Sequence, residues 1–311
     1  MHRLVQRYDR AVAKEELLDP AARRTDSDVL QRHDISGPLN YLLIGSDQRG
    51  NPGHGSGERA DTILIVHIPT GLKHAYLVSV PRDLLAPIPP DPHSGYGGGA
   101  DKINAAFQYG GGGPAGARLL SAAVSELTGL RFDGAAIVNF SGFRKVIDLL
   151  GGVTVCVDTD VRSIHTGQLF SAGCHEMGGG QALDYARQRY GLPDGDYDRQ
   201  RHQQQIVKAI MEKAGTGKAL ANPVKLDQLI RTIGSAVTVD TNGVPSQDLV
   251  RALWGLRPDA VLGLRMPTAS DIIDEIYYDL LDPGADELFK ALQNADVESW
   301  AATNPRWVNR L

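Results

Sequence analysis

No apolar run in these 311 residues approaches the ~18 to 20 residues needed to cross a bilayer, so no membrane-spanning helix is expected within them. The opening stretch, MHRLVQRYDRAVAKEELL, also lacks the apolar core of a signal peptide. The expectation is a soluble piece, either a cytoplasmic protein or the soluble part of a longer one. Positive charge is not in excess: 32 Lys and Arg face 37 Asp and Glu, for a formal net charge of −5. A general nucleic-acid binder would carry a basic face, so nucleic acid is not an expected partner. Nine histidines show no HExxH or similar ligand spacing. The two cysteines, Cys156 and Cys174, form no CxxC pair, and no Cys/His spacing suggests zinc. They are either free thiols or, since Cys156 lies in a strand-like run and Cys174 follows a turn, a disulfide. There is no internal repeat, and no composition break demands a second domain.

What is present suits a globular core, with 42% hydrophobic and 22% charged residues. Residues 1–36 are polar, with a helical pattern from Val12 to Leu18, and are expected to wrap the outside of a single domain spanning 37–311. LNYLLIGSD (39–47), DTILIVHIP (61–69) and KHAYLVSVP (73–81) read as buried strands, the last two as a hairpin turning at Gly71. Residues 86–100, rich in Pro and Gly, read as a long surface loop. The 114–129 segment has helical spacing, GAAIVNF is a strand, and SGFRKVIDLLGG is a helix with Ser141 as N-cap. GVTVCVD is a strand, and DRQRHQQQIVKAIMEKA a helix. Helix-like pieces at 226–233 and 246–256 and a strand at 261–267 follow. The alternation predicts a layered α/β domain with a central mixed β-sheet flanked by helices.

Gly111, Gly113 and Gly116 match G-x-G-x-x-G, but no strand precedes them, so a helix–helix connection is expected rather than a dinucleotide site. The charged residues at strand ends carry more information. Asp47 ends the first buried strand and Asp61 opens the second, so one rim could hold both carboxylates, a usual setting for Mg²⁺. Capping of strand ends is the plain alternative. Arg59 and Arg82 fall at the same rim. Arg187 and Arg189, two residues apart in a segment expected to be extended, would project from one face. Arg199 and Gln203 share one side of the following helix. Guanidinium groups pair with phosphate oxygens and stay charged when partly buried, so such a cluster calls for a polyanion.

NYLLIGSDQRG, ERADTILIVHI, LVSVPRDL, DKINAAF, IVNFSGFRKVIDLLGGVTV and GGQALDYARQRYGLPDGDYDRQRHQQQ occur in an order that resembles the LytR–CpsA–Psr family of Gram-positive cell-wall enzymes, over roughly residues 39 to 214. The resemblance implies transfer of a phosphoglycan from a polyprenyl-pyrophosphate carrier onto a peptidoglycan hydroxyl, with Mg²⁺ (or Mn²⁺) as cofactor. It makes Asp47 and Asp61 the metal ligands. Arg59, Arg82, Arg187, Arg189, Arg199 and Gln203 would hold the pyrophosphate, with Lys102 and Asn104 at the pocket edge. Asp83 would orient arginines or assist the acceptor hydroxyl, placing Asp83, Arg82 and Arg59 at the reaction centre. Ile137, Val138, Phe140, Phe143, Val146 and Ile147 are candidates for lining an apolar tunnel for the lipid, with plain core as the alternative. The family also implies a membrane anchor outside this sequence, an extracytoplasmic location, and hence a Cys156–Cys174 disulfide. Two rivals remain at this level: a prenyl-pyrophosphate pyrophosphatase using water, and a non-catalytic lipid-pyrophosphate binder acting as a regulator.

Overall fold

The computed structural model describes residues 13–25, 35, 37–46, 59–215, 237–244, 256, 258–309 and 311. Its first half contains β1 (Ala13–Lys14), β2 (Leu39–Ser46), β3 (Ala60–Ile68), β4 (Ala75–Ser79), β5 (Leu85–Ile88), β6 (Gly99–Lys102), helices α1 (Ala105–Tyr109) and α2 (Gly113–Thr128), and β7 (Gly134–Asn139). Then come α3 (Phe140–Leu149), β8 (Val153–Val157), β9 (Val161–Arg162), β10 (Leu169–Phe170), β11 (Gly173–Met177), α4 (Gly179–Arg187) and α5 (Asp196–Gly215). The remainder is β12 (Val237–Asp240), β13 (Val261–Arg265), β14 (Thr268–Ile273), β15 (Ile276–Leu281), α6 (Ala285–Gln293), α7 (Val297–Thr303) and β16 (Val308–Asn309).

Eight strands form one sheet in the order β1-β12-β7-β2-β3-β4-β13-β16. Its pairings are mixed: β7 runs parallel to β2 and β13 to β4, whereas β2, β3 and β4 are successively antiparallel. Strand alternation divides the core. Ile63 and Ile65 of β3 pack with α2, α6 and α7 on one face, while Leu64, Val66 and Ile68 join Val207 and Met211 of α5 on the other. A third apolar cluster joins α3, β8, β11, α4 and α5. The fold is thus the layered α/β arrangement with a central mixed sheet. The β3–β4 hairpin turns at Gly71, whose φ of +89° falls in the region where a side chain would be strained.

Several local expectations need correction. The Val12–Leu18 region shows no helix among its described residues. Ala13–Lys14 pairs with β12 at the sheet edge, and the backbone N–H groups of Leu17 and Leu18 donate to Asp240 Oδ2 at 3.0 and 3.2 Å. Those two leucines are buried in the core, so a tertiary tether overrides the local helical spacing. The 86–100 segment is an ordered ribbon, since β5 pairs with β6 and Asp91 bridges to Tyr96. Pro87 is tolerated because the ribbon has only two strands, leaving a side where no N–H is required. The α3 N-cap is Asn139 rather than Ser141, with Asn139 Oδ1 accepting from the Gly142 N–H at 2.8 Å. The glycine motif joins α1 to α2 as expected, and a Cβ at Gly116 would collide with the Phe107 carbonyl. The helix-like piece at 226–233 and nearly all of that at 246–256 lie outside the described residues. Cys156 and Cys174 sit directly opposite each other on β8 and β11 and are disulfide-bonded.

Candidate active site

Helix α5 begins with acids, continues through arginine and glutamine, and ends in an apolar face. Its central residues divide the work by direction. Gln204 is fully buried and donates to Leu77 O at 2.9 Å and Leu264 O at 2.8 Å, clamping the helix across β4 and β13. His202 stacks on Tyr185 with ring centroids 4.0 Å apart, and Gln205 Oε1 accepts from the Tyr185 hydroxyl at 2.9 Å. Arg201 faces the acids Asp198 (2.8 Å) and Asp158 (3.1 Å). With those neighbours fixed, Arg199 and Gln203 point into a cavity of about 490 Å³ bounded by β2, β3, α3, α4 and α5.

Arginines dominate the polar wall of that cavity: Arg82, Arg187, Arg189 and Arg199 line it together with Asp61 and Gln203. Arg199 is 6% exposed. One of its nitrogens, NH2, lies 2.9 Å from Asp196 Oδ1 and 3.2 Å from the Asp61 carbonyl, while its Nε is buried without a hydrogen-bond partner. Burial pulls its pKa below the ordinary arginine value, Asp196 opposes that pull, and Arg82 adds to it. Arg82 bridges Asp61 Oδ1 at 2.6 Å and Asp83 Oδ2 at 3.3 Å, and Asp83 Oδ1 in turn meets Lys102 Nζ at 3.0 Å. Burial works against the charge on Arg82, but Asp83 and Asp61 outweigh it and raise its pKa. Burial likewise favours protonated Asp83, yet Lys102 and Arg82 prevail and keep its pKa low.

Arg187 and Arg189 reach the cavity by a different route from the extended segment expected. Arg187 is the last residue of α4, Gln188 is the C-cap, and Arg189 follows in the loop. Gln188 is completely buried and donates to Asp184 O at 2.8 Å and Ser163 Oγ at 3.0 Å, so its neighbours turn outward. Arg187 lies 5.1 Å from the Phe140 ring centroid and Arg189 5.5 Å from that of Tyr190. Among the described residues neither arginine forms an ion pair with a carboxylate. The wall therefore holds more positive than negative charge, plus an orphaned buried N–H donor, which is the signature of an anion site.

The rest of the cavity is apolar. Val138, Phe140, Phe143 and Val146 line it, joined by Leu43, Leu64, Ile206, Val207, Ile210 and Met211. Ile137 and Ile147 do not: Ile137 turns to the opposite sheet face, and Ile147 packs with α4 and β8. Arg59 is exposed and outside the cavity wall, its Nε 3.5 Å from Gln108 Oε1. Asn104 is buried, and its N–H donates to the Arg82 carbonyl at 3.2 Å, fixing that residue's backbone. Asp47 lies outside the described residues. No group of three His, Cys, Asp or Glu side chains suited to a metal ion occurs among the described residues.

Comparison with known proteins decides the family, because the model of the LytR_cpsA_psr family matches residues 3–294. The chain belongs to the LytR–CpsA–Psr family. This LytR–CpsA–Psr chain is 32% identical over 270 residues to the probable cell wall biosynthesis protein LcpB of Corynebacterium glutamicum, covering 82% of the chain and 61% of LcpB. It is 30% identical over 210 residues to the polyisoprenyl-teichoic acid–peptidoglycan teichoic acid transferase TagU of Bacillus cereus, covering 67% of the chain and 64% of TagU. The chain thus spans under two thirds of the length of either relative. A solved structure of TagT bound to LIIa-WTA superposes with a TM-score of 0.65 at 25% identity, covering 85% of this chain and 94% of TagT.

Proposed function

We propose that this LytR–CpsA–Psr protein moves a phosphoglycan from a polyprenyl-pyrophosphate carrier onto a peptidoglycan hydroxyl during cell-wall assembly. The observation that carries this is a polarity gradient along one helix. From the N-terminal end of α5, the cavity-lining residues are Arg199, Gln203, Ile206, Val207, Ile210 and Met211. At 1.5 Å per residue, Arg199 at the charged end and Met211 at the apolar end are about 18 Å apart. β3 repeats the order, with Asp61 and Thr62 before Leu64. A ligand with a pyrophosphate head and a hydrocarbon tail matches both ends at once. TagU of Bacillus cereus is by name a teichoic acid transferase acting on a polyisoprenyl-linked donor and peptidoglycan, and TagT has been seen with LIIa-WTA.

In such a transfer the acceptor oxygen attacks the phosphorus that bears the glycan. The bond from that phosphorus to the bridging oxygen breaks, polyprenyl phosphate leaves, and the hydroxyl proton passes to a base. The reaction needs in-line positioning and neutralised oxygen charge more than a protein nucleophile. Arg187, Arg189 and Arg199 supply that charge in a partly dehydrated wall. Asp83, paired on both sides, holds Arg82 and Lys102 in place and is the orienting member of the group. Mg²⁺, or Mn²⁺ with similar ligand preference, suits one or two carboxylates plus phosphate oxygens. Asp61 offers a carboxylate at the cavity, with Asp47 as the second candidate. When bound, the ion would offset charge on the pyrophosphate oxygens. The proposed setting is the extracytoplasmic face of the membrane, where carrier and peptidoglycan meet and a disulfide persists.

The test is to supply lipid-linked glycan with and without peptidoglycan and to identify the products. Glycan on peptidoglycan, together with polyprenyl phosphate, is expected only when acceptor is present. Equal release of glycan phosphate without acceptor would establish a pyrophosphatase instead, and no turnover in either arm would leave a binding protein.

A further inference from the structure

Beyond the arginine wall, one exposed hairpin lies outside the cavity lining. β14 and β15 form a two-stranded hairpin whose strand side chains are largely exposed. Ile272 is 68% and Ile276 48% exposed, and the ring of Tyr277 beside them is 39% exposed. Yet Tyr277 is held firmly: its hydroxyl donates to Asp279 Oδ1 at 2.9 Å and lies 2.8 Å from Ser270 Oγ. Asp279 is 1% exposed, and its backbone N–H donates to the Asp83 carbonyl at 3.0 Å. Lys102 completes the link, 3.0 Å from Asp83 Oδ1 and 6.0 and 5.6 Å from the Tyr277 and Tyr278 ring centroids. A continuous path therefore runs from Arg82 in the cavity through Asp83 and Lys102 to an exposed, fixed aromatic ring.

The hairpin's place along α5 gives the path a direction. The Tyr197 hydroxyl, in the first turn of α5, lies 2.8 Å from Thr268 Oγ1 at the start of β14. Along that helix the order is hairpin contact, then Arg199 and Gln203, then the apolar lining. In phosphoryl transfer the entering and leaving oxygens lie on opposite sides of the phosphorus. With the prenyl phosphate leaving toward the apolar end, the entering hydroxyl must arrive from the hairpin end.

Building on the transferase reading, we propose that the β14–β15 hairpin is the acceptor subsite, with Tyr277 as a platform for a sugar ring of the peptidoglycan strand. The C–H groups on one face of a pyranose pack against an aromatic face, whose negative potential suits them. A ring already fixed by Asp279 and Ser270 loses little freedom on binding. Asp279 and Ser270 are positioning residues acting through Tyr277. Lys102 couples the platform to Asp83 and so to Arg82.

The test measures transfer to peptidoglycan, binding of glycan-free peptidoglycan fragments, and binding of a prenyl pyrophosphate, in wild type, Tyr277→Ala, Tyr277→Phe and Arg199→Ala. Tyr277→Ala is expected to lower both transfer and fragment binding more than tenfold, while the prenyl-pyrophosphate Kd moves less than twofold and so shows that the variant is folded. Tyr277→Phe keeps the ring and is expected to retain most of both activities. Unchanged transfer in Tyr277→Ala, or loss of donor binding along with it, would overturn the acceptor assignment. If instead Arg199→Ala binds prenyl pyrophosphate as well as wild type, the transferase reading fails, and the acceptor assignment falls with it.

Discussion

Arg199 donates from NH2 to the backbone carbonyl of Asp61 at 3.2 Å, across 138 residues of chain. One contact thereby ties the start of α5 to the start of β3, the two elements that grade from polar to apolar along the cavity. Replacing Arg199 by Lys keeps a charge but loses the planar fork that reaches the Asp61 carbonyl and that, in the proposed complex, would hold two phosphate oxygens. The expected cost in prenyl-pyrophosphate affinity is about tenfold for Lys and about a hundredfold for Ala, or ~1.5 and ~3 kcal/mol. Calorimetric titration measures both.

Asp83 meets Arg82 at 3.3 Å and Lys102 at 3.0 Å. Burial alone would raise its pKa, but Lys102 and Arg82 together hold it below the ordinary value. It therefore stays ionised as an anchor. Asp83→Asn is expected to reduce kcat/KM about tenfold by loosening Arg82, with the acid limb of the pH–rate profile unmoved. If that limb shifts or vanishes in the variant, Asp83 is the base.

Two buried histidines set the acid side of stability. Burial lowers the pKa of His67 to about 4, with Arg24 adding to the shift, and that of His202 to about 3, with Arg201 adding. Both therefore fold neutral, while in the unfolded chain they take up protons near pH 6.5. The unfolded state binds more protons between those values, so stability must fall as pH drops from about 6.5 toward 4, by up to ~1.4 kcal/mol per pH unit for each histidine. Urea unfolding across that range is the check. His202→Gln is expected to flatten the slope, and a slope unchanged by that substitution would contradict the assignment.

The Cys156–Cys174 bridge spans a sequence separation of 18 residues. Closing a loop of that size restricts the unfolded chain by about 3 kcal/mol. Changing both cysteines to serine should lower Tm by several degrees while leaving prenyl-pyrophosphate affinity intact. Intact mass with and without reductant, differing by two hydrogens, checks the pairing itself.

The central strands were legible because each carries a short, largely buried apolar run, Tyr41–Ile44 in β2 and Ile63–Val66 in β3. The β5–β6 ribbon was hidden by its composition, since Pro87 and the nearby glycines signal a loop unless the pairing partner is known. Leu17 and Leu18 could not be placed from local spacing, because their anchor, Asp240, lies far along the chain. In the site, the arginines could be found because they recur at element ends. Ile137 and Val138 show the limit for the apolar lining. Adjacent residues on a strand face opposite ways, so only one of them, Val138, can reach the cavity. Asp83 and Lys102 were named from their motifs, but the link onward to Tyr277 had no sequence signal, because a separate element far along the chain supplies that ring.

A crystal structure with a prenyl pyrophosphate and Mg²⁺ tests the central claim most directly. The pyrophosphate is expected against Arg187, Arg189 and Arg199, with a phosphate oxygen on the orphaned Arg199 Nε and the hydrocarbon chain running past Phe143 and Ile206 toward Met211. Pyrophosphate bound away from those arginines, or a chain lying outside the cavity, would contradict it.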